Sequence, residues 1–302
     1  EILVSCGGKQ SVYNLAQALL DPGDEVIIPA PYWVSYPDMV LLADGRPVIV
    51  AAGRDQQFRI TPEQLEAAIT ERTRLFVINS PSNPTGMAYG EDELAALGEV
   101  LRRHPRVMIA TDDMYEHIRW SEAPFRNILN VCPDLRDRTI VLNGVSKAYA
   151  MTGWRIGYAG GPAWLIAAMK KIQSQSTSNP ASISQAAATA ALEGDQQCVR
   201  DMVRAFRERH DWLVAALNAL PGVDCLPGDG TFYAFPSFHA VIEALPGVDD
   251  DVALAETLIE EANVALVPGS AFGAPGHMRL SFATSLDVLQ EAIDRIRRVL
   301  PG

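Results

Sequence analysis

Residues 74–79 constrain the fold of this chain more than any other segment. Their sequence, Arg-Leu-Phe-Val-Ile-Asn, is apolar at successive positions instead of alternating with polar residues, which predicts a strand buried on both faces. Strands of this kind belong to parallel sheets that are covered by helices on both sides. Further strand-like segments at residues 25–29, 45–51, 107–111 and 139–142 are separated by helix-like segments, so the sequence predicts an α/β fold.

Helix-forming patterns fill the segments between these strands. Residues 12–20 and 91–103 have helical, amphipathic spacing. Thr61, Pro62 and Gln64 stand in the order of an N-cap, a first-turn proline and a capping-box partner. These signals predict helices that pack on the sheet.

The pattern changes near residue 221, after residues 195–220, which predict a helix long enough to link two domains. Shorter elements follow and predict a smaller α+β domain. We expect strands at residues 231–238, 264–267 and 278–282, and helices at residues 252–261 and 286–299. The predicted domains are residues 1–205 and residues 206–302.

A proline- and glycine-rich turn follows the strand at residues 74–79. Its sequence is Asn79-Ser-Pro-Ser-Asn83-Pro84-Thr85-Gly86, and prolines and glycines are also common in turns that have only a structural role. However, ligands bind α/β sheets at the carboxyl ends of the parallel strands. The Asn83 amide is therefore a candidate ligand-binding group.

Lys147 is unusual among the four lysines of the chain. It follows the apolar run at residues 139–142, in Ser146-Lys147, and precedes Gly153-Trp-Arg155-Ile-Gly-Tyr158. Surface lysines are uncommon beside a buried strand. Burial lowers the pKa of a lysine, and its neutral amine can attack a carbonyl. The alternatives are a lysine that caps a turn or one that pairs with a carboxylate.

Two glycines precede the helix-like segment at the start of the chain, in Cys6-Gly7-Gly8-Lys9. Glycines at the start of a helix allow backbone N–H groups to approach a phosphate, and the helix dipole adds to the attraction. A nucleotide-binding P-loop is excluded, because Gln10 follows the lysine and Leu3 occupies the position of the first glycine.

Arg279 lies in the apolar segment His-Met-Arg279-Leu-Ser-Phe. An arginine within such a strand is costly to bury without an anion, and its planar guanidinium suits a bidentate contact with a carboxylate. A structural salt bridge is the alternative.

These segments together resemble the cofactor-binding signature of class I aminotransferases, which are fold-type I pyridoxal-phosphate (PLP) enzymes. The resemblance runs from Gly7 to the C-terminus and is nearest to the bacterial aspartate aminotransferases, which include prephenate-using members. It implies a mainly parallel, seven-stranded-type sheet sandwiched by helices, with a smaller C-terminal α+β domain. It also implies PLP as cofactor, an amino acid and a 2-oxo acid as substrates, and a homodimer with shared active sites.

The resemblance assigns the catalytic lysine and the phosphate site. In the family, the residue at Lys147 carries PLP covalently and then moves a proton. The residue at Arg155 binds the cofactor phosphate, together with Ser146 and the Gly7-Gly8-Lys9 loop.

The resemblance also assigns the residues around the cofactor ring. Asp112, in Asp112-Asp-Met-Tyr115, would keep the pyridine nitrogen protonated, although an acidic residue at the end of a strand often only caps a helix. Asp113 lies one position away from the aspartate of the family pattern, and its side chain is expected to face the opposite direction. Tyr115 and Asn83 would both contact the phenolic oxygen of the ring.

Three residues are implied in substrate binding, together with Asn83, which would also contact the substrate carboxylate. Arg279 would bind the α-carboxylate of the amino acid. Lys9 would contact the distal carboxylate, which favours a dicarboxylic substrate. Trp33 would lie against the ring near the substrate carboxylate, although a tryptophan is more often simply part of a core.

The composition excludes other classes of partner. The net charge is −12, which argues against nucleic acid and against an anionic membrane surface. The cysteines and histidines have no metal-binding spacing, and we therefore expect no metal site. The widely spaced cysteines favour reduced thiols and a cytoplasmic location.

The sequence leaves other functions open. A PLP-dependent β-lyase or synthase of the same fold is one alternative, although Lys9 favours amino-group transfer with a diacid. A non-catalytic PLP-sensing domain and an inert fragment are two others. The chain starts at Glu1-Ile-Leu-Val, and the resemblance predicts a further N-terminal segment, with a tyrosine that reaches the partner subunit's phosphate site.

Overall fold

The computed structural model describes residues 1–300. Within them, the strands are β1 (Ile2–Ser5), β2 (Glu25–Ala30), β3 (Arg46–Ala51), β4 (Thr73–Asn79), β5 (Met108–Asp112), β6 (Thr139–Gly144), β7 (Gly157–Gly160), β8 (Tyr233–Ala234), β9 (Val267–Pro268) and β10 (Met278–Ser281). The α-helices are α1 (Gly8–Leu19), α2 (Ser35–Leu41), α3 (Pro62–Ala68), α4 (Glu91–Arg103), α5 (Ile128–Val131), α6 (Ala163–Ser174), α7 (Ser182–Glu193), α8 (Gln197–Asn218), α9 (His239–Ala244), α10 (Asp251–Ala262) and α11 (Leu286–Val299).

Seven strands form one mostly parallel sheet in the order β1-β7-β6-β5-β4-β2-β3. The strands from β2 to β6 pair in parallel, whereas β7 runs antiparallel to both β6 and β1. The α/β fold class and the seven-stranded sheet predicted from the resemblance are thus confirmed.

Strand β4 is buried on both faces, as its sequence predicts. Leu75 and Val77 join a core cluster with helices α1, α2 and α6, whereas Phe76 and Ile78 join a second cluster with α3 and α4. Successive side chains of a strand point to opposite faces, so one apolar strand supplies both cores. This arrangement explains why its sequence lacks polar alternation.

The predicted start of α3 is confirmed in detail. The Thr61 hydroxyl accepts a hydrogen bond from the Gln64 N–H, and the Gln64 side chain accepts one from the Thr61 N–H. This reciprocal capping box closes the first turn of the helix.

Strands β8, β10 and β9 form a separate antiparallel sheet, packed with α8, α10 and α11 around a third core cluster. The strand predicted at residues 231–238 is much shorter than expected. Thr231 has a φ of 68°, outside the β region, and Pro236 has no N–H to donate to a neighbouring strand. Only Tyr233 and Ala234 therefore pair with β10.

The carboxyl ends of the central strands meet at one edge of the large sheet. Asn79 at the end of β4 is directly paired with Asp112 at the end of β5, and Asp112 is paired with Leu142 of β6. The motif-bearing loops follow these ends, so the topology brings them together.

The predicted domain boundary between residues 205 and 206 falls inside α8 and stays a prediction. Among residues 1–300, no helix is both long enough and apolar enough to cross a lipid bilayer.

Candidate active site

A cavity of about 410 Å³ lies at the carboxyl edge of the large sheet. This volume is within the range of sites that bind cofactors and small molecules. All of the predicted site residues except Gly7 line it: Gly8, Lys9, Trp33, Asn83, Asp112, Tyr115, Ser146, Lys147, Arg155 and Arg279. Residues from the start, middle and end of the chain therefore meet in one place.

Lys147 is half-buried in this cavity, three residues after the end of β6. Burial lowers the pKa of its ammonium group, and the positive charges of Arg279 and Arg155 lower it further, against the opposing effect of Asp112. The Lys147 amine has no hydrogen-bond or ion-pair partner among the described residues, and it lies 5.6 Å from the centre of the Phe232 ring. This environment favours the neutral, nucleophilic amine.

Asp112 is buried, and each of its carboxylate oxygens has one donor. The Tyr36 hydroxyl donates to Oδ2 at 2.5 Å, and the Met114 N–H donates to Oδ1 at 3.2 Å. Burial raises the pKa of Asp112, whereas these two hydrogen bonds and the charge of Lys147 lower it. The donors thus offset part of the cost of keeping an ionised carboxylate at the base of the cavity.

Asp113 belongs to a different environment, as expected. Its carboxylate accepts hydrogen bonds from the Thr111 hydroxyl at 2.6 Å and from the Asn127 amide at 2.5 Å. Burial raises the pKa of Asp113 to about 8, although both hydrogen bonds lower it. Asp113 is not among the residues that line the cavity.

Asn79 connects the two strand ends below the cavity. Its amide nitrogen donates to the Asp112 carbonyl at 2.8 Å, and its amide oxygen accepts from the Asn83 N–H at 2.8 Å. One side chain therefore fixes the backbone of both Asp112 and Asn83.

Arg279 reaches the cavity from β10 of the small sheet. Its Nη1 donates to Asn83 Oδ1 at 2.9 Å, and its guanidinium carbon lies 4.5 Å from the Tyr233 ring centre and 4.8 Å from that of Phe272. Arg279 forms no salt bridge among residues 1–300, so the structural ion pair weighed above is absent there. The two rings hold the guanidinium by cation–π attraction and leave its remaining donors available.

Arg155 and Gly7 lie against each other at the start of α1. The Arg155 guanidinium donates only to backbone carbonyls, those of Thr152 at 2.9 Å and Cys6 at 3.4 Å. Gly7 has a φ of 88°, and a Cβ at this position would lie 2.1 Å from Arg155 Nη2. The backbone conformation favours glycine here, and a Cβ would displace the Arg155 guanidinium from its present position.

The N-terminus of α1 carries an uncompensated partial positive charge within its own first turn. It has no side-chain cap and no acidic residue in its first turn. Its free N–H groups and the helix dipole therefore attract an anion, beside the Arg155 guanidinium.

Lys9 extends to the entrance of the cavity. Its ammonium group donates to the Ser35 hydroxyl at 2.9 Å and lies 5.1 Å from the centre of the Trp33 ring. It forms no ion pair with any residue in the described part of the chain. Trp33 lines the cavity and packs edge-on against Tyr36, with ring centres 5.2 Å apart.

The charges around the cavity do not balance. Four basic side chains line it, and Asp112 is the one carboxylate among its described lining residues. None of the four basic side chains forms a salt bridge within residues 1–300, although the chain as a whole has a net charge of −12. The site is built to receive ligands with several negative charges.

Comparisons with known proteins identify the family. The sequence profile "Aminotransferase class I and II" matches residues 1–296. The chain belongs to this aminotransferase family.

The aminotransferase is similar to several curated relatives and solved structures. It is 61% identical to the aspartate/prephenate aminotransferase of Nitrosomonas europaea, over 99% of this chain and 77% of that protein. The crystal structure of an aspartate aminotransferase from Rhizobium meliloti is 49% identical and superimposes with a TM-score of 0.96, over 100% of this chain and 77% of that one. The aromatic aminotransferase of Pyrococcus horikoshii is 35% identical, with a TM-score of 0.92 over 99% of this chain and 79% of that one. Members of the family depend on PLP, and the enzyme is an aminotransferase rather than one of the alternatives left open by the sequence.

Three further residues of the aminotransferase site are not identified by sequence reasoning. Tyr36 contacts Asp112, Asn79 connects two strand ends, and Tyr233 contacts both Tyr115 and Arg279. Asn79 is visible as a polar residue at the end of a buried strand, which is a usable signal. Tyr36 and Tyr233 lie in aromatic segments without a motif, and only their contacts identify them.

Proposed function

We propose that this aminotransferase transfers an amino group between a dicarboxylic amino acid, such as aspartate or glutamate, and a 2-oxo acid, with PLP as cofactor. The observation that carries the proposal is a set of three cations without carboxylate partners, Lys9, Arg155 and Arg279, which surround Lys147 and one buried aspartate. A phosphate and two substrate carboxylates supply the negative charges that these cations lack.

The residues at the start of α1 fit the cofactor phosphate. The free N–H groups of the first turn, the Arg155 guanidinium and the Ser146 hydroxyl provide donors on several sides of an anion. Gly7 and Gly8 allow the phosphate to approach the backbone, and Lys9 adds positive charge nearby. The absence of any acidic residue from the first turn supports this assignment.

The residues at the base of the cavity fit the cofactor ring. The Asp112 carboxylate, whose ionised form its two donors favour against burial, would hold a proton on the pyridine nitrogen. Asn83 and Tyr115 donate to the phenolic oxygen, and Trp33 packs against the ring face. When bound, PLP supplies a carbonyl group that takes up the amino group and a ring that delocalises the electron pair released by loss of the α-proton.

Lys147 is the catalytic base in this proposal. Its pKa is lowered by burial and by two neighbouring arginines, which favours the neutral amine that a base needs. Nζ would hold the cofactor covalently at rest and would be released as a free amine when the substrate amino group takes its place. The free Lys147 amine would then accept the proton from the substrate α-carbon and return a proton later in the same half-reaction.

Two cations bind the substrate at opposite ends. Arg279 contacts the α-carboxylate, and its bond to Asn83 orients the guanidinium. Lys9, at the cavity entrance, contacts the distal carboxylate. This spacing favours a diacid, and several of the relatives are named for aspartate or for aspartate and prephenate.

We also propose that the enzyme is a homodimer with shared active sites. Ala188 is the only buried residue of the apolar helix α7, and its Ile183 is 81% exposed. Trp154, next to Arg155, is 49% exposed. Analytical ultracentrifugation should give a dimer that Ile183→Asp dissociates, whereas Val252→Asp on α10 leaves it intact. A wild-type monomer contradicts the dimer.

The decisive experiment is a visible absorption spectrum of the enzyme with PLP, before and after aspartate. We expect a band from covalently bound cofactor that aspartate removes, with formation of oxaloacetate, and that 2-oxoglutarate restores, with formation of glutamate. Lys147→Ala should abolish the band, whereas Lys170→Ala, which changes an exposed lysine of α6, should not. A band that aspartate leaves unchanged contradicts the substrate, and the absence of a band contradicts the cofactor.

A further inference from the structure

The hydroxyl groups of Tyr115 and Tyr233 form a buried pair beside the active site. The Tyr115 hydroxyl donates to the Tyr233 hydroxyl at 3.3 Å, and both side chains are buried. Neither hydroxyl has another hydrogen-bond partner among residues 1–300. The direction in which each hydroxyl donates its proton therefore depends on the other hydroxyl and on the ligand in the cavity.

The backbone fixes the geometry of this pair. Tyr115 follows β5 of the large sheet, whereas Tyr233 starts β8 of the small sheet. The two segments are joined by backbone hydrogen bonds, from Thr231 N–H to the Ile118 carbonyl at 2.8 Å and from Trp120 N–H to the Asp229 carbonyl at 3.0 Å.

Contacts of the two tyrosine rings reinforce this geometry. The Tyr115 and Tyr233 rings meet edge-on, with centres 6.0 Å apart. The Arg279 guanidinium carbon lies 4.5 Å from the centre of the Tyr233 ring, and the Phe232 ring centre lies 4.7 Å from it. Tyr233 therefore contacts both the residue assigned to the cofactor oxygen and the residue assigned to the substrate carboxylate.

The number of protons restricts what the pair can do when the cofactor is bound. Each tyrosine hydroxyl has one proton and two lone pairs. An anionic oxygen is a better acceptor than a neutral hydroxyl, so the Tyr115 proton turns from Tyr233 to the phenolic oxygen of the cofactor. If nothing else changed, two buried oxygen atoms would then face each other without a proton between them, which is unfavourable.

We propose that Tyr233 is a positioning residue that donates its hydroxyl proton to Tyr115 when the cofactor is bound. This reversal of the hydrogen bond again places a proton between the two buried hydroxyl oxygens. It also strengthens the bond from Tyr115 to the cofactor, because a hydroxyl that accepts a hydrogen bond becomes a stronger donor. The inference rests on the proposed function, since it needs PLP in the cavity.

The test is the pH titration of the visible absorption of the bound cofactor. A hydrogen bond to the phenolic oxygen favours the unprotonated form of the chromophore, so a weaker bond raises the midpoint of the titration. Tyr233→Phe should raise it by roughly 0.1 to 0.7 of a pH unit, because cooperative strengthening is about 10–30% of a hydrogen bond to a charged group, which contributes about 1.5–3 kcal/mol. Tyr115→Phe should raise it further, and the double variant should match Tyr115→Phe alone.

Tyr149→Phe is the matched control, because its hydroxyl donates to Gln196 and lies outside the cavity. It should leave the midpoint unchanged. An unchanged or lower midpoint for Tyr233→Phe overturns the proposal. So does a Tyr233→Phe shift that is equally large in the Tyr115→Phe background, because that shift would not act through Tyr115.

A second change keeps the test decisive if Tyr233→Phe does not fold. Incorporation of 3-fluorotyrosine at position 233 makes that hydroxyl a stronger donor, so the midpoint should fall instead of rise; an unchanged or higher midpoint again overturns the proposal. If the proposed function itself fails, the wild-type enzyme has no visible band to titrate. That result differs from every outcome described above, each of which requires a band in the wild type.

Discussion

Nη1 of Arg279 donates a 2.9 Å hydrogen bond to Oδ1 of Asn83, across 196 positions of the sequence. The bond joins β10 of the small sheet to the loop that follows β4 of the large sheet. It leaves the other guanidinium donors facing the cavity, in a site where no described carboxylate pairs with the arginine. The small sheet thus contributes the cation that we assign to the substrate carboxylate.

Arg279→Lys tests the role of this planar group. A lysine keeps the charge but loses the two-pronged contact and the rigid position between two rings. We expect KM for the amino acid and the oxo acid to rise about 10- to 100-fold, the effect of losing a charge-assisted hydrogen bond. Steady-state kinetics measures this, with Arg297→Lys on the exposed surface of α11 as control. Equal KM values for wild type and Arg279→Lys would remove Arg279 from the substrate site.

Tyr36→Phe tests how the protein keeps Asp112 ionised. Removal of the hydroxyl takes away the donor to Oδ2, which lowers the pKa of Asp112 against the effect of burial. The pKa of Asp112 should therefore rise further. The higher pKa favours the protonated, neutral form of Asp112, and PLP affinity should fall about tenfold.

The pH dependence of this loss distinguishes ionisation from packing. At higher pH Asp112 ionises again, so the affinity of Tyr36→Phe should approach that of the wild type. Titrations with PLP at pH 6.5 and pH 8.5 measure the two ratios, and Tyr158→Phe serves as a control outside the cavity. A defect of the same size at both pH values would mean that Tyr36 acts only by packing.

Gly7→Ala tests the close approach of backbone and arginine at the phosphate site. Gly23 is a matched control, since its φ of 87° equals the 88° of Gly7 within a degree, and a Cβ there would meet nothing within 4 Å. Both alanine variants should lose about 1 kcal/mol or more of stability from the positive φ, and Gly7→Ala should lose more, because its ψ of 160° places it in a region that essentially only glycine occupies.

Only Gly7→Ala should also displace Arg155 and lower PLP affinity, by more than about tenfold. Thermal unfolding measures the loss of stability in the two variants, and a PLP titration measures the difference in their cofactor affinity. If the two variants bind PLP equally well, the contact between Gly7 and Arg155 has no part in cofactor binding.

Asp113→Asn tests the buried carboxylate outside the cavity. The pKa of Asp113 is about 8 in the folded protein, well above the ordinary value of 3.8. Between these values the folded state holds a proton that the unfolded state releases, so stability falls as pH rises, by up to about 1.4 kcal/mol per pH unit. The stabilising effect is complete below pH 3.8 and is lost as pH approaches 8.

The asparagine variant removes this titration, so its free energy of unfolding should depend less on pH between pH 5 and 8. Urea unfolding at several pH values measures the slopes. Asp134→Asn is the control, because hydrogen bonding to Arg102 lowers the pKa of Asp134 to about 2, and that group titrates below this window. A slope in Asp113→Asn equal to that of the wild type would contradict the raised pKa.

The sequence alone determined much of this protein, because its local patterns carry the information. Runs such as residues 74–79 need burial on both faces, and this requirement specifies a helix-covered parallel sheet. The Thr61–Gln64 capping box needs only neighbouring residues to form. The motif residues lie at strand ends, and parallel strands bring those ends to one edge, so their meeting in a single cavity follows from the fold class.

The tertiary structure decided what depends on contacts between distant segments. The short β8 follows from the backbone of Thr231 and from Pro236, which end its pairing in a way that the apolar pattern does not reveal. Tyr36 and Tyr233 have no motif, because a tyrosine in an aromatic segment looks the same whether its hydroxyl contacts a catalytic residue or solvent. Hydrogen bonds act only over about 3 Å. Their partners here, such as Tyr115 and Tyr233, are separated by 118 positions in the chain, so only the folded arrangement identifies them.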